Sequence, residues 1–161
     1  MRSIDYIDLI KYHGKEILES SNFKKEKTFI QHGNVSVYEH SINVAITCLK
    51  IANKLQIPID IKSLIRGALL HDYFLYDWHE KDPSHKWHGF THATTALNNA
   101  KKEYNLTEIE KNMIHCHMFP LNIRLPKYRE SLILCIADKI VATIETIEPY
   151  VTILATIEKY I

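Results

Sequence analysis

Residues 65–79 read IRGALLHDYFLYDWH: a hydrophobic helical run that gives way, at His71-Asp72, to an aromatic loop. A carboxylate beside an imidazole at the end of a buried segment must find partners, because an unpaired buried charge costs several kcal/mol or neutralises itself. Those partners have to come from elsewhere in the chain.

Working outward from this pair, the pattern is helical on both sides. Upstream, Asp60 can cap the helix that ends at His71. Before it, Ser36 and Glu39 form the S-x-x-E capping box, which satisfies two otherwise orphaned backbone donors. From there Val37, Ser41, Val44, Cys48, Ile51 and Leu55 recur at helical spacing, predicting a long helix to about residue 55. The segment from Ile4 to about Ile30 is amphipathic and interrupted near Gly14 and Ser20 to Asn22, and the loop QHGNVS follows it. Downstream, the loop from Tyr73 to about Phe90 is long for a compact domain, and long ordered loops are often functional. A helix is expected over about Thr91 to Tyr104. Thr107 and Glu110 form a second capping box, opening a helix that Pro120 stops. A final helix spans about Lys127 to Ile147, and Pro149 separates it from a short apolar tail. Strand-like alternation is absent, and 4 Gly and 5 Pro leave little material for turns. The expectation is an all-α helical bundle forming one domain over residues 1–161, with an N-terminal helical segment (1–31), a core (32–147) and a C-terminal tail (148–161).

Composition narrows the function classes. Lys+Arg number 20 against 19 Asp+Glu, a balance without the electrostatic footprint of a nucleic-acid polymer or an anionic membrane as partner. No segment has the eighteen or more apolar residues of a membrane span, and the start MRSIDYIDLI is acidic where a signal peptide would be apolar. The expected location is cytoplasmic. Cys48, Cys116 and Cys135 form no CxxC pair and sit in apolar patterns, so they read as reduced core residues. Association of identical copies stays open.

Several polar residues are out of place on apolar faces. His40 shares a stripe with Val37, Val44 and Ile51, pointing toward the core. Asp138 has Leu134, Cys135, Val141 and Ala142 as its helical neighbours; a buried aspartate is rare unless paired or bound to a metal, and the plain alternative is a salt bridge to Arg66 or Lys139. In MIHCHMFP, two histidines stand two positions apart and point nearly opposite ways. His117 shares its stripe with Ile109, Met113 and Cys116 and is the inward one, whereas His115 sits with Glu108, Lys111 and Asn112 on the solvated side. His92 starts a helix whose apolar face holds Ala96 and Ala100; His88, in the loop, is its rival.

Together His40, His71, Asp72, His92, His117 and Asp138 place six imidazole or carboxylate groups on four or five helices, and a bundle core is where such ligands can meet. Four nitrogens and two carboxylates suit Fe, Mn, Zn or Co; Ca or Mg would want mostly oxygen.

In order and approximate spacing, His40, the pair His71-Asp72 in ALLHD, and Asp138 in CIADKI resemble the H…HD…D signature of the HD-domain phosphohydrolase superfamily. His92 and His117, between the pair and the last aspartate, look like the extra ligands of its two-metal members. The resemblance runs from about His32 to Ile147. It implies an all-α fold, one or two divalent metal ions, and hydrolysis of phosphate esters of a small molecule, usually one bearing a nucleotide or similar group. Adjacent side chains on a helix diverge by about 100°, so His71 and Asp72 can face one site only if it lies past the helix end. There a bridging Asp72 would hold two metals about 3.5 to 4 Å apart, lowering the pKa of a shared water toward neutrality.

Lys139, next to Asp138, and Arg66, one turn above the HD pair, are candidates to neutralise phosphate charge. Of the loop aromatics Tyr73, Phe74, Tyr76 and Trp78, some could wall a base or sugar, though core packing is the more ordinary role. Lys81, His85 and Lys86 read as a solvated loop. Two other functions use the same ligands: a mixed-valent diiron oxygenase of the same fold, and a non-catalytic nucleotide-sensing domain.

Overall fold

The computed structural model describes residues 5–79 and 88–158, and the side chains of these apart from residues 88 and 149–158. Three short helices open the chain: α1 (Tyr6–His13), α2 (Lys15–Glu19) and α3 (Ser21–Lys25). Asp5 and Ser20 cap the first and third through their side chains, and the breaks fall at Gly14 and Ser20. A 3-10 turn (Glu26–Thr28) leads into a small antiparallel hairpin, β1 (Ile30–His32) and β2 (Val35–Ser36), with Gly33 at φ 55° in its turn. QHGNVS is therefore a ribbon rather than a plain loop. Strands of three and two residues are too short to show a two-residue alternation, which is why they left no trace in the pattern.

Ser36 then caps α4 (Val37–Leu55) with the expected capping box, and Gln56 ends it at φ 52°. Asp60 caps α5 (Ile61–Leu70), accepting from the backbone N–H of Ser63 at 2.6 Å. Every residue from Ser63 to Phe74 is buried, so α5 is the central helix and carries His71-Asp72 into the middle of the molecule. Next come α6 (His88–Glu103), α7 (Glu108–Cys116) and α8 (Arg129–Glu158). The helices pack chiefly as α4 on α5 and α8, α5 on α7, and α7 on α6 and α8. Gly67 permits a close approach of α5 to α7: a Cβ there would lie 2.5 Å from Met113 Sδ. No helix among the described residues is long and apolar enough to cross a membrane.

Three boundaries depart from the sequence expectation. Helix α6 begins at His88, three residues before Thr91. Helix α7 ends at Cys116, because a residue preceding proline disfavours helical backbone and Phe119-Pro120 forces the chain out early. Helix α8 does not break at Pro149 but continues to Glu158. A proline there forfeits its bond to the Glu145 carbonyl, yet its φ is compatible with a helix.

Candidate metal centre

Five elements converge on Asp72. His40 lies in the first turn of α4, His92 early in α6, His117 immediately after α7, and Asp138 in the third turn of α8. The helix end at residue 70 answers how two adjacent side chains reach one place. His71 keeps helical backbone (φ −62°, ψ −33°) as the cap of α5, after which the backbone N–H of Tyr73 bonds the Leu70 carbonyl and that of Phe74 the Asp72 carbonyl. This tight turn swings Asp72 to the side that His71 faces.

The two oxygens of Asp72 address different histidine pairs. Oδ2 lies 3.3 Å from Nε2 of His71 and 3.8 Å from Nε2 of His40. Oδ1 lies 3.3 Å from Nε2 of both His92 and His117. Asp138 Oδ1 completes the first group at 3.3 Å from His40 Nε2 and 3.6 Å from His71 Nε2. Within each group, His40–His71–Asp72 and Asp72–His92–His117, the candidate ligand atoms are all within 4.8 Å of one another.

Behind this inner ring the far sides of the imidazoles are anchored. Nδ1–H of His40 donates to Glu145 Oε2 at 2.7 Å, that of His71 to the Ala68 carbonyl at 2.7 Å, and that of His117 to the Ile114 carbonyl at 2.8 Å. With Nδ1 donating outward, Nε2 of each ring faces the site, the orientation that outer partners impose on metal-binding histidines. Gln31, on β1, donates from Nε2 to Asp72 Oδ2 at 2.6 Å and fixes the carboxylate plane.

These residues fit divalent transition metals. His71 Nε2 and Asp72 Oδ1 are buried with no hydrogen-bond partner, a costly condition for protein groups alone. Nε2 of His92 and of His117 point at each other 2.8 Å apart, and the donor set is nitrogen-rich with two carboxylates.

Electrostatics follow from burial and proximity. Burial pushes the His40 imidazole down, but its hydrogen bonds to Asp138 and Glu145 outweigh that and lift it to about 9. Burial likewise opposes the His71 cation, and the charges of Asp72 and of Asp138, 3.6 Å away, carry it well above the ordinary range. Asp138 is held well below the carboxylate range, its hydrogen bond to His40 and the nearby His71 imidazole overcoming burial. At His117 burial prevails and the imidazole stays on the neutral side. The protein's own charges thus favour cations at the His40–His71 group.

A cavity of about 650 Å³ opens over the cluster. Asp72, Asp138 and Lys139 line its polar side, and Trp78, Met118 and Leu121 are among its apolar wall. Lys139 Nζ donates to the His117 carbonyl at 3.1 Å and to that of Cys135 at 3.2 Å, which holds it at the rim.

Other expected residues sit elsewhere. Arg66 requires correction: its Nε donates to Glu110 Oε1 and its Nη1 to Glu16 Oε2, each at 2.8 Å, so it neither faces the cavity nor pairs with Asp138. Lys139 is no salt-bridge partner of Asp138 either; the histidines are. Tyr73 and Phe74 are core residues, the Tyr73 hydroxyl donating to Glu103. His115 is half-buried rather than fully solvated. Lys81, His85 and Lys86 lie outside the described residues, as does the side chain of His88.

Sequence reasoning did not single out Glu145, Gln31 or Glu26. Glu145 stands seven residues after Asp138, two turns on along the same face, and that spacing was a usable signal. Gln31 belongs to a hairpin too short to read. Glu26 is fully buried with both carboxylate oxygens unpartnered. Burial, then the Asp72 charge, raise it well above the ordinary range, against a smaller opposing effect of His71.

A family model described as the HD domain matches residues 37–143. The match takes in all six residues of the inner ring and stops short of Glu145. No curated protein and no solved structure matches the chain.

Proposed function

Because the chain belongs to the HD-domain family, whose intact His/Asp cluster marks it as a metal-dependent phosphohydrolase, we propose that it cleaves a phosphate ester or anhydride of a small molecule, a nucleotide or related phosphate. The observation that carries this reading is Asp72, with one oxygen toward His40 and His71 and the other toward His92 and His117. His40, His71, Asp72 and Asp138 would hold one ion, and His92 and His117, sharing Asp72, a second; Fe, Mn, Zn and Co suit these donors. Bound there, divalent ions supply a water acidified toward neutral pH and Lewis-acid pull on a phosphoryl oxygen.

The chain's own residues bind, orient and shield. Glu145 and the Ala68 carbonyl keep the rings of His40 and His71 turned inward, and Gln31 keeps Asp72 from rotating. Lys139 places one positive charge at the rim, where it can exchange its carbonyl contacts for a phosphate oxygen. Trp78, Met118 and Leu121 offer an apolar wall for the rest of the substrate and exclude water from it. The cavity volume falls within the range of roughly 300–1,000 Å³ usual for small-molecule sites, which supports a small substrate over a polymer.

The test is purification under argon, metal analysis, and a phosphate-release screen over nucleotides, dinucleotides and phosphomonoesters with Mn, Fe, Co and Zn. Anaerobic phosphate release with Mn or Co is the expected result. Turnover that requires O₂ and releases no phosphate would replace this reading with the diiron oxygenase. Tight nucleotide binding without turnover would replace it with a sensing domain.

A further inference from the structure

Helix α8 is apolar on two opposite sides. One side carries Leu134, Ala137, Val141 and the inward Asp138 into the core. On the other, Leu132, Ile136, Ile140, Ile144 and Ile147 leave 51, 44, 43, 57 and 49% of their surfaces open. At successive separations of four, four, four and three residues these five fall along one side of the helix, a stripe about 22 Å long at 1.5 Å per residue. A surface helix ordinarily shows one apolar face; one that is apolar around its circumference is buried on both sides.

We infer that a second copy of this chain covers the stripe, its α8 lying antiparallel on a two-fold axis at Ile140. The spacing is the first argument. A two-fold contact requires a patch complementary to itself. Reversed about Ile140, Ile136 meets the partner's Ile144 and Leu132 meets the partner's Ile147, so the stripe maps onto itself to within one residue. Charge is the second argument. Lys127 and Arg129 stand at the start of the stripe and Glu148 at its end, so the antiparallel arrangement brings basic ends against acidic ends, whereas a parallel one would set Arg129 against Arg129. The helix dipoles also oppose each other only in the antiparallel pairing. Size is the third. Five half-open aliphatic side chains make a patch on the order of 400 Å², as large as the largest apolar patches on typical monomers. That is about half the roughly 800 Å² per partner of a stable interface, leaving a flanking rim to supply the rest.

The contact lies on the side of α8 away from Asp138, so it leaves the cavity open, and the inference stands whether or not the chain hydrolyses phosphates. Sedimentation equilibrium of the full chain across micromolar concentrations reads it directly. The wild type should sediment as a dimer. Ile140→Glu should sediment as a monomer with its helical circular dichroism and cooperative melting retained. Mild oxidation of Ile140→Cys should cross-link two chains, and that of Leu132→Cys should not. A wild type monomeric throughout, whether or not it floats with anionic vesicles, overturns the inference. So does a dimer that survives Ile140→Glu. Cross-linking of Leu132→Cys as efficient as that of Ile140→Cys overturns the antiparallel arrangement.

Discussion

Glu145 Oε2 accepts a 2.7 Å hydrogen bond from His40 Nδ1, on the side of the ring turned away from Asp72, and so decides which nitrogen of His40 faces the site. The carboxylate is buried, comes from two turns further along the helix that bears Asp138, and is also bonded by Asn43. Glu145→Gln keeps the shape and removes the charge. Metal affinity should fall by about 10- to 100-fold, as for loss of other outer partners of metal-bound histidines. Titration with a competing chelator measures it; an unchanged affinity would make Glu145 merely structural.

Asp72 belongs to both ligand groups, so its loss should be more damaging than that of any one histidine. Asp72→Ala should bind neither ion at stoichiometric metal and show no turnover, with elemental analysis as the readout. Full occupancy in that variant would refute the assignment of Asp72 as the shared ligand.

His117 and His115 separate ligand from bystander within one short stretch. His117→Ala should lower turnover by orders of magnitude and reduce metal content toward one ion per chain. His115→Ala should leave stability within about 0.5 kcal/mol and activity near that of the wild type. The opposite pattern would mean that the last turn of α7 is rotated relative to the one described.

Arg66 has a stability role. Its guanidinium spans buried Glu110 and the more exposed Glu16. Arg66→Met leaves the Glu110 charge buried and unpaired, which should destabilise by about 3–5 kcal/mol. Turnover per folded molecule should be unchanged, and a selective loss of kcat with intact melting would return Arg66 to the site.

Glu26 supplies a pH dependence with a definite sign. Its carboxyl is raised by burial, so the folded state holds the proton where the unfolded chain has released it. The stability it permits is present below the unfolded pKa and is lost as pH rises toward the folded one. With chelator present, Glu26→Gln should therefore melt higher than the wild type at pH 8, and the gap should close as pH falls below about 4.3, the ordinary glutamate value. A gap independent of pH would show that Glu26 does not titrate differently on folding.

How much of this was legible depends on whether a residue's role showed in its own neighbourhood. His40 and Asp138 were conspicuous because an ionisable group on an apolar stripe is costly to bury unless it is paired or bound to a metal. The capping boxes at Ser36 and Thr107 fixed two helix starts by local hydrogen bonding alone. Arg66 misled because its partner was already accounted for: Glu110 caps Thr107 with Oε2, and nothing in the sequence reveals that Oε1 also serves an arginine 44 positions away. Gln31 reaches Asp72 from a ribbon below the length at which periodicity exists. The exposed stripe of α8 was written into the sequence as plainly as its buried face, but periodicity alone does not distinguish the two.

The six inner residues are strung from position 40 to position 138, with no two elements sufficient by themselves. During synthesis His40, His71 and Asp72 are in place long before their fourth partner exists. The ribosome must deliver most of α8 before Asp138 and Glu145 can close the group. Loading an ion is thus a property of the finished chain, and an ion bound only by the folded form pulls the equilibrium toward it. Scarcity of metal in the cell would then be felt in the lifetime of the protein as well as in its reaction.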